Sequence, residues 1–371
     1  MRNNFFYVKS LTLAGILSSS SLNSGDSVKS NVLEKNNEHA SLSVSKNVEE
    51  TCWSSLEHRV NYLDSIFQNA KRVFETARIP ILMFHNFHDR EDRYTVSPDN
   101  FRKLLFELYS NDFYSVDLGS FYKGDFSNVP VGKKPVLLTF DDAGRGQFVM
   151  NKDGSICGNS AVGILEEFYN SYDFGRGGVM FVSYGINNNF RLPFEQNKFA
   201  SDKLKFLLDN GYDIGYHTVF HPNNTNASIN NIFEQYFLSS ASLYKLLGED
   251  YFNKIDITSY AHTFGAVPRN EEVFDYLCSL KDVIFDAWNG ASRHPLSSSF
   301  DVYSVSRIET TYHNINKIIN ARNIYTVTPD TKLYYLFNNS DFFKKDFVSM
   351  PSLCVDKLKS GEELSSPFIF F

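Results

Sequence analysis

Two short stretches of the chain carry side chains that could bind one metal ion together. Asp141 and Asp142 are adjacent and follow the apolar run 134–140, while His217 and His221 are four residues apart in "GYHTVFHP". Like charges side by side resist double ionisation, so a paired carboxylate needs a positive charge nearby. One carboxylate and two imidazoles form a facial set of metal ligands with open positions, and the metal ion would relieve that repulsion.

Each pair also has an ordinary structural interpretation when it is taken alone. An adjacent pair of aspartates at a strand end is usually a turn or a helix cap, and two histidines at this spacing are usually structural. Their combination after two separate apolar segments favours chemistry. The carboxylate that does not bind the metal would then be free to act as a base on a water molecule.

Apolar runs and helical patterns alternate along the chain and place both motifs at strand ends. The sequence predicts strands at 79–85, 134–140 and 177–183 and in "YDIGYHT", "ITSYAHTFG" and "DVIFDAW". It predicts helices at 52–75, 97–111, 160–172, 201–211, 231–248 and 270–281. This alternation indicates a parallel sheet. About seven such units, with polar residues at the carboxyl ends of the strands, predict an α/β fold that forms a distorted (β/α) barrel.

The composition fits one large α/β domain with additions at its ends. Hydrophobic residues make up 42% of the 371 residues, which is enough for a sizeable buried core. The net charge is −7 and no basic face stands out, so nucleic acid is not an expected partner, and no protein partner is indicated. The four cysteines are far apart without a CxxC pair, which favours free thiols over disulfides or a zinc–thiolate site.

Residues 1–25 have the features of a weak export signal. Arg2 and Lys9 precede an apolar stretch over 11–17, and small residues follow it. This stretch is too short to span a bilayer, so no stable membrane span is expected in the mature chain. The sequence therefore predicts an exported protein, whether periplasmic, at the cell surface or secreted, and a disordered tail is the alternative. Residues 26–50 are rich in Ser, Asn, Lys and Glu and predict a flexible linker.

The two motifs are similar to those of the polysaccharide deacetylase family, the NodB-homology domain of carbohydrate esterase family 4. "TFDDAG" resembles the family's TFDDG motif, and "HTVFHP" matches its H-S/T-x-x-H-P motif. "YAHTFG" at 260–265 resembles the third motif without its usual proline, and "ILMFHNFHD" at 81–89 resembles the opening strand of the permuted poly-N-acetylglucosamine deacetylases. Ala143 stands where the family has glycine, and alanine fits there if the backbone avoids positive φ.

The resemblance implies a role for each motif residue. Asp141 would be the general base. Asp142, His217 and His221 would be the metal ligands. The general acid would be His85, although a core histidine is the alternative for it. The metal would be divalent, with zinc as the default for such a ligand set and with cobalt, nickel or iron also fitting it.

Other residues are candidates for binding the substrate or for a place near the site. An oxyanion-binding backbone N–H is expected between residues 260 and 263. Core packing is the alternative for the tryptophan named below, and a structural ion pair is the alternative for both arginines. The predicted substrate-binding residues are Tyr260, His262, Trp288 and Arg145. Further candidates are His88 as a second choice of acid, His294 near the rim, and Arg307 as a residue that orients a carboxylate.

Together, these expectations predict the domain organisation of the chain and its function. The predicted segments are a signal at 1–25, a linker at 26–50, an amphipathic helical segment at 51–78, a deacetylase domain at 79–325 and a C-terminal extension at 326–371. The resemblance implies a metal-dependent glycan N-deacetylase that acts on an N-acetylated polysaccharide. The alternatives are an O-acetyl glycan esterase that uses the same site, and a sugar-binding protein on the same fold without catalysis.

Overall fold

The predicted strands and helices occur at the predicted places within the described residues, and further short elements lie between and after them. The computed structural model describes residues 61, 64–186, 189–287 and 290–339. The strands are β1 Arg78–Ile79, β2 Ile81–Phe84, β3 Asn86–Phe87, β4 Thr95–Val96, β5 Phe113–Ser115, β6 Lys134–Phe140, β7 Val179–Val182, β8 Gly185–Ile186, β9 Asn189–Phe190, β10 Asp213–Tyr216, β11 Ser259–Ala261, β12 Val283–Phe285, β13 Ser292–Arg293 and β14 Ile308–Glu309. The helices are α1 64–76, α2 Pro98–Ser110, α3 Leu118–Lys123, α4 Ala161–Ser171, α5 Ala200–Asp209, α6 Ile229–Leu247, α7 Glu249–Phe252, α8 Glu271–Ser279, α9 Ile315–Ile319 and α10 Pro329–Asn339.

Local signals in the sequence explain where several of these elements begin and end. Helix α2 starts at Pro98 because the Ser97 hydroxyl caps it by accepting the N–H of Asn100. Strand β6 coincides with the predicted run, and six of its seven residues are buried, as expected for a strand covered on both faces. After α5 the chain turns at Gly211, whose φ of 78° is accessible to glycine without strain.

The strands form a curled parallel sheet, a half-barrel, which confirms the predicted distorted (β/α) barrel. The strand order is β12-β11-β10-β7-β6-β2-β14, every neighbouring pair is parallel, and β5 pairs with the first half of β6. The chain around β14 also bonds to the far edge of the sheet. Val305 donates its N–H to Ile284 on β12 at 3.0 Å, and Thr310 donates to Met83 on β2 at 3.0 Å. This segment therefore connects the two edges of the sheet.

Side chains along each strand alternate between two hydrophobic cores. On β6, Leu138 and Phe140 pack into the outer core, which contains the buried faces of α2, α4, α5 and α6. Leu137 on the same strand belongs to the inner core, inside the curl of the sheet. Period-two alternation therefore decides which strand residues point into the barrel and which point towards the helices.

The amino-terminal ends of the strands are closed by packed aromatic rings. Phe74 of α1 stacks on the His294 ring at a centroid distance of 4.4 Å, and Phe126 meets the same ring edge-on at 5.3 Å. Tyr325 and Tyr335 complete the cluster, and their hydroxyl oxygens lie 2.9 Å apart. His294 thus lies at the end opposite to the rim where it was expected, because β13 pairs with β1 ahead of β2.

Some sequence expectations concern residues beyond the described part of the chain. The export signal, the linker, Trp288, Cys52 and Cys354 lie outside it, and the segment boundaries stay predictions. Within the described part, Cys157 and Cys278 are free thiols. In that same part, no helix is both long enough and apolar enough to cross a membrane. The described portion of the C-terminal extension is helix α10, in which Tyr334 packs edge-on against Phe74.

Candidate active site

The inward-facing rows of the strands lead directly to the candidate site. On β6, Leu137 and Thr139 face the interior, and the next residue in that row is Asp141. On β2, the corresponding row continues to His85, which follows the last strand residue. Because all these strands are parallel, their carboxyl ends meet at one rim. Alternation within parallel strands therefore brings polar residues from distant parts of the sequence to one place.

Three of the predicted residues converge on one point at this rim. Among the described residues, Asp142, His217 and His221 form a group whose potential ligand atoms all lie within 4.8 Å of one another. His221 Nε2 is 3.2 Å from Asp142 Oδ1, and His217 Nε2 is 3.4 Å from the same oxygen. The structure therefore brings the predicted metal ligands together.

The state of Asp142 fits a shared cation. Its Oδ1 is buried, yet it accepts a hydrogen bond from no residue that the structure describes. Burial alone would raise the pKa of this carboxyl, but the imidazoles of His217 and His221 hold the pKa well below its ordinary value. An ionised carboxylate oxygen and two nearby ring nitrogens that do not hydrogen-bond to it together form a donor set for a divalent metal.

The backbone of a neighbouring strand orients His217. Its Nδ1 lies 2.9 Å from the carbonyl oxygen of Ala261, so Nδ1 carries a proton and Nε2 faces the ligand group. Burial alone would lower the pKa of His217, but the carboxylates of Asp141 and Asp142 raise it. The contact explains why β11 must lie beside β10: Ala261 ends β11 next to the residue that follows β10.

Asp141 is held in a separate arrangement with Arg307. The guanidinium of Arg307 forms two hydrogen bonds with the carboxylate, at 2.6 and 2.9 Å, and both side chains are buried. Burial alone would raise the pKa of Asp141, but the Arg307 charge lowers it. Arg307 is fixed in turn by donating from Nε to the carbonyl oxygen of Asp286 at 2.9 Å. The arginine thus forms a buried ion pair with a carboxylate of the protein, which is the alternative that the sequence analysis gave for it.

His85 lies beside Asp141, near the same carboxylate oxygen that His217 approaches. Its Nε2 is 3.8 Å from Asp141 Oδ2, and its side chain is 17% exposed. Burial lowers the pKa of His85, although the two aspartates oppose this effect. His88, the second choice for the acid, places its Nε2 3.5 Å from the hydroxyl of Thr95 instead. Of the two histidines, His85 is the one in contact with the carboxylate pair.

The backbone of both motifs is strained. Asp142, Ala143, Thr218 and His221 all have positive φ, of 76°, 51°, 61° and 54°. Alanine was expected to fit at position 143 only if the backbone there avoids positive φ, and this condition is not met. The neighbouring Gly144 does not take over the turn, since its φ is −70°. A non-glycine residue in this region costs roughly 1–2 kcal/mol. Such strain concentrates where side chains must point in directions that regular structure does not allow.

Two glutamines that sequence reasoning missed hold the motif loops in place. Buried Gln147 donates from Nε2 to the carbonyl oxygens of His85, at 2.7 Å, and of Asp141, which joins the ends of β2 and β6. Gln235 on α6 accepts the N–H of Val219 at 3.0 Å through its Oε1. No local sequence pattern marks either residue, because the groups that they contact lie far away along the chain or on a loop.

The predicted substrate-binding residues have different surroundings. Tyr260 is buried, and its hydroxyl accepts a hydrogen bond from Asn224 at 2.9 Å. His262 is also buried, with a backbone N–H that donates to Phe285, so this N–H is not available for an oxyanion. Arg145 is exposed in the turn that follows the aspartate pair. The roles assigned to these residues stay predictions.

Comparison with known proteins gives similarities among solved structures. No protein-family model and no curated protein matches the sequence. The deacetylase PplD of Streptococcus pyogenes in complex with acetate is 21% identical with a TM-score of 0.49, over 66% of this chain and 99% of that one. A polysaccharide deacetylase from Bacillus cereus is 19% identical with a TM-score of 0.48, over 66% and 69%. IcaB from Ammonifex degensii is 16% identical with a TM-score of 0.47, over 67% and 97%. These similarities assign no role to any residue of this chain.

Proposed function

We propose that this chain is a metal-dependent hydrolase that removes acetyl groups from an N-acetylated polysaccharide. The observation that carries the proposal is the convergence of Asp142, His217 and His221 beside a separately held buried carboxylate, Asp141. The motifs that contribute these residues resemble those of polysaccharide deacetylases, and this resemblance supplies the substrate class. An O-acetyl glycan esterase would use the same residues, so whether the enzyme cleaves an amide or an ester bond must be decided by assay.

The metal would be held by Asp142, His217 and His221, with zinc as the default. A bound divalent ion would polarise the acetyl carbonyl and lower the pKa of the attacking water. Asp142 is ionised and its Oδ1 is buried, so it would contribute charge as well as a ligand atom. His217 would be held in a binding orientation by the carbonyl oxygen of Ala261.

Asp141 and His85 would move the protons. Asp141 would accept the proton of the attacking water, and Arg307 would keep it ionised and pointed towards the site. His85 would donate a proton to the leaving amine, since its ring lies 3.8 Å from the Asp141 carboxylate. A rigid, buried base has the advantage that little reorganisation is needed during the reaction.

We further propose that the protein is exported, on the basis of residues 1–25. A polymeric glycan is too large to be met easily inside a cell other than during its synthesis or export. N-terminal sequencing of the protein recovered from outside the cytoplasm would test this part. A mature chain that begins beyond residue 25 is the expected result, and a chain retained inside with Met1 intact would contradict it.

The function is tested by measuring acetate release from chitin oligomers and poly-N-acetylglucosamine by the full-length protein. Reactions contain chelator, added zinc, or neither, and Asp141→Asn is compared with Asp213→Asn. Both substitutions remove one acidic group, but Asp213 lies at the amino-terminal end of β10. We expect release that depends on metal, disappears in Asp141→Asn and persists in Asp213→Asn.

Other outcomes distinguish the alternatives. Release from O-acetylated glycans alone would favour the esterase. Binding of glycan without release, in protein that contains one equivalent of metal, would favour the non-catalytic binding protein. Failure to bind any divalent metal would contradict the assignment of Asp142, His217 and His221.

A further inference from the structure

Two exposed aromatic rings border the candidate active site. The Phe264 side chain is 60% exposed, and its ring centroid lies 4.4 Å from that of His221. Tyr94 is 39% exposed, and its ring lies 5.3 Å from that of His85. His221 contacts Asp142 and His85 contacts Asp141. One ring therefore borders the metal-ligand group and the other borders the proposed acid.

The position of Phe264 is costly for the folded protein. Exposing a large apolar side chain forgoes the stabilisation of burial, and its φ of 55° is in the left-handed region. The turn around it is nonetheless well held. Gly265 donates its N–H to His262 at 3.1 Å, and Ala266 donates to Thr263 at 2.9 Å. A strained residue that the surrounding structure holds in place points to a function for its side chain.

Neighbouring residues hold Tyr94 in place. The Arg93 guanidinium lies 5.2 Å from the centre of the Tyr94 ring, and Arg93 itself donates two hydrogen bonds to Glu309, at 3.0 and 3.2 Å. The backbone of Tyr94 also accepts the N–H of Asn86 at 2.8 Å, next to His85. A ring fixed in this way loses little conformational entropy when it binds a ligand.

We propose that Phe264 and Tyr94 each stack on a sugar ring, so that the substrate is an oligomeric glycan that contacts the protein beyond the sugar that loses its acetyl group. This inference rests on the proposed function. Pyranoses with equatorial substituents, such as β-linked N-acetylglucosamine, present an apolar face of C–H bonds to an aromatic ring while their hydroxyl groups stay in water. A longer chain could contact both rings at once, so affinity should rise with chain length.

Another exposed phenylalanine in this chain serves as a control for the effect of removing exposed aromatic surface. Phe237 on α6 is 57% exposed, close to the value for Phe264, and it stacks on the exposed ring of Phe233 at 5.9 Å. Among the described contacts, neither ring of this pair touches His85, His221 or either aspartate. Truncating Phe237 removes a comparable area of exposed aromatic surface without altering the candidate site.

The experiment compares kcat and KM of the full-length zinc-loaded protein on chitin oligomers of increasing length and on a small aryl acetate. The variants are Phe264→Leu, Phe264→Tyr, Tyr94→Leu and Phe237→Leu. We expect Phe264→Leu to raise KM for the longer oligomers about tenfold with kcat within about twofold, which is the size expected of one aromatic stacking contact. Turnover of the aryl acetate should stay unchanged, Phe264→Tyr should keep wild-type KM, and Phe237→Leu should have no effect.

The outcomes separate this inference from the proposed function. An unchanged KM for Phe264→Leu and Tyr94→Leu, in protein that deacetylates oligomers, overturns the inference and leaves the function intact. An equal rise for Phe237→Leu overturns it also, because exposure alone would then explain the effect. Should the wild type release no acetate, calorimetric titration with the longest oligomer decides: about tenfold weaker binding by Phe264→Leu supports the inference, and equal binding overturns it.

Discussion

The two ends of the barrel each bury a histidine, and the two histidines are in opposite states. His217, at the carboxyl ends of the strands, faces Asp141 and Asp142, which raise its pKa. His294, at the amino-terminal end, is enclosed by aromatic rings, and burial lowers its pKa to about 3. Both ring nitrogens of His294 have neutral partners, the Leu296 N–H and the Tyr335 hydroxyl, each at 3.1 Å. In His217, Nδ1 hydrogen-bonds to the Ala261 carbonyl oxygen, and Nε2 faces the carboxylates of Asp141 and Asp142.

The surroundings of the two histidines are representative of the two ends of the barrel. The amino-terminal end is apolar, and its polar atoms named above are paired with one another, which is how a barrel is closed stably. The carboxyl end holds a buried oxygen without a hydrogen bond, an ion pair and several residues with positive φ. Burial is common to both ends, so burial does not identify the candidate active site. Converging charged groups and backbone strain do.

The largest expected effect comes from exchanging each histidine for alanine. We expect His217→Ala to weaken zinc binding by at least about a hundredfold, because a ligand is lost, and to abolish acetate release. His294→Ala should instead keep its metal and lose about 3 kcal/mol of stability, since it leaves a cavity and unpaired polar groups. Metal analysis and urea unfolding of both variants check this. Loss of zinc from His294→Ala, with the fold intact, would show that the amino-terminal end of the barrel also supports metal binding.

Removal of Arg307 tests the charge at the carboxyl end. Arg307→Met leaves the Asp141 carboxylate buried without its counterion, and we expect a loss of about 3–5 kcal/mol in the free energy of unfolding. Lys254→Met is the control, because it removes an exposed ion pair with Asp209 and should cost less than about 1 kcal/mol. Adding Asp141→Asn to Arg307→Met should restore part of the stability. A loss as small as that of the control would show that Arg307 does not compensate a buried charge.

Asp213 is an acidic residue at the amino-terminal end of β10, opposite to the candidate active site. Burial raises its pKa to about 7, from 3.8. The folded state therefore keeps a proton that the unfolded state loses, so this group's contribution to stability is fully present below about pH 4 and is lost as pH rises through about 7. We expect Asp213→Asn to match the wild type near pH 4 and to exceed its stability by roughly 2 kcal/mol above pH 7. Thermal unfolding across this range measures it. A constant difference at all pH values would contradict the shift.

The smallest expected effect concerns strain at Ala143. Glycine adopts a φ of 51° freely, so Ala143→Gly should gain roughly 0.5–1 kcal/mol of stability, net of the added freedom of the unfolded chain. Asn323→Gly is the control, since asparagine tolerates its φ of 60° and should gain nothing. Urea unfolding of both variants distinguishes them. Destabilisation by Ala143→Gly would mean that packing of the methyl group outweighs the strain.

Much of this arrangement could be predicted from local patterns. The β6 run, the Ser97 cap and the turn at Gly211 are encoded within a few residues, so the alternating order of elements and the parallel sheet follow from them. The two motifs were recognisable for the same reason, because each is contiguous. His294 was misplaced because a lone histidine carries no information about which end of a barrel it will reach.

The amino-acid sequence alone places an acidic pair and a histidine pair after separate apolar strands, and hence predicts that both meet at one rim of an α/β fold. The pairing of Arg307 with Asp141, the contacts of Gln147 with two strand ends and the positive φ of Ala143 are seen only in the folded chain. The difference lies in the range over which each interaction acts. Strand alternation and capping act over a few residues, whereas these contacts join groups that only the closed sheet brings within hydrogen-bonding distance.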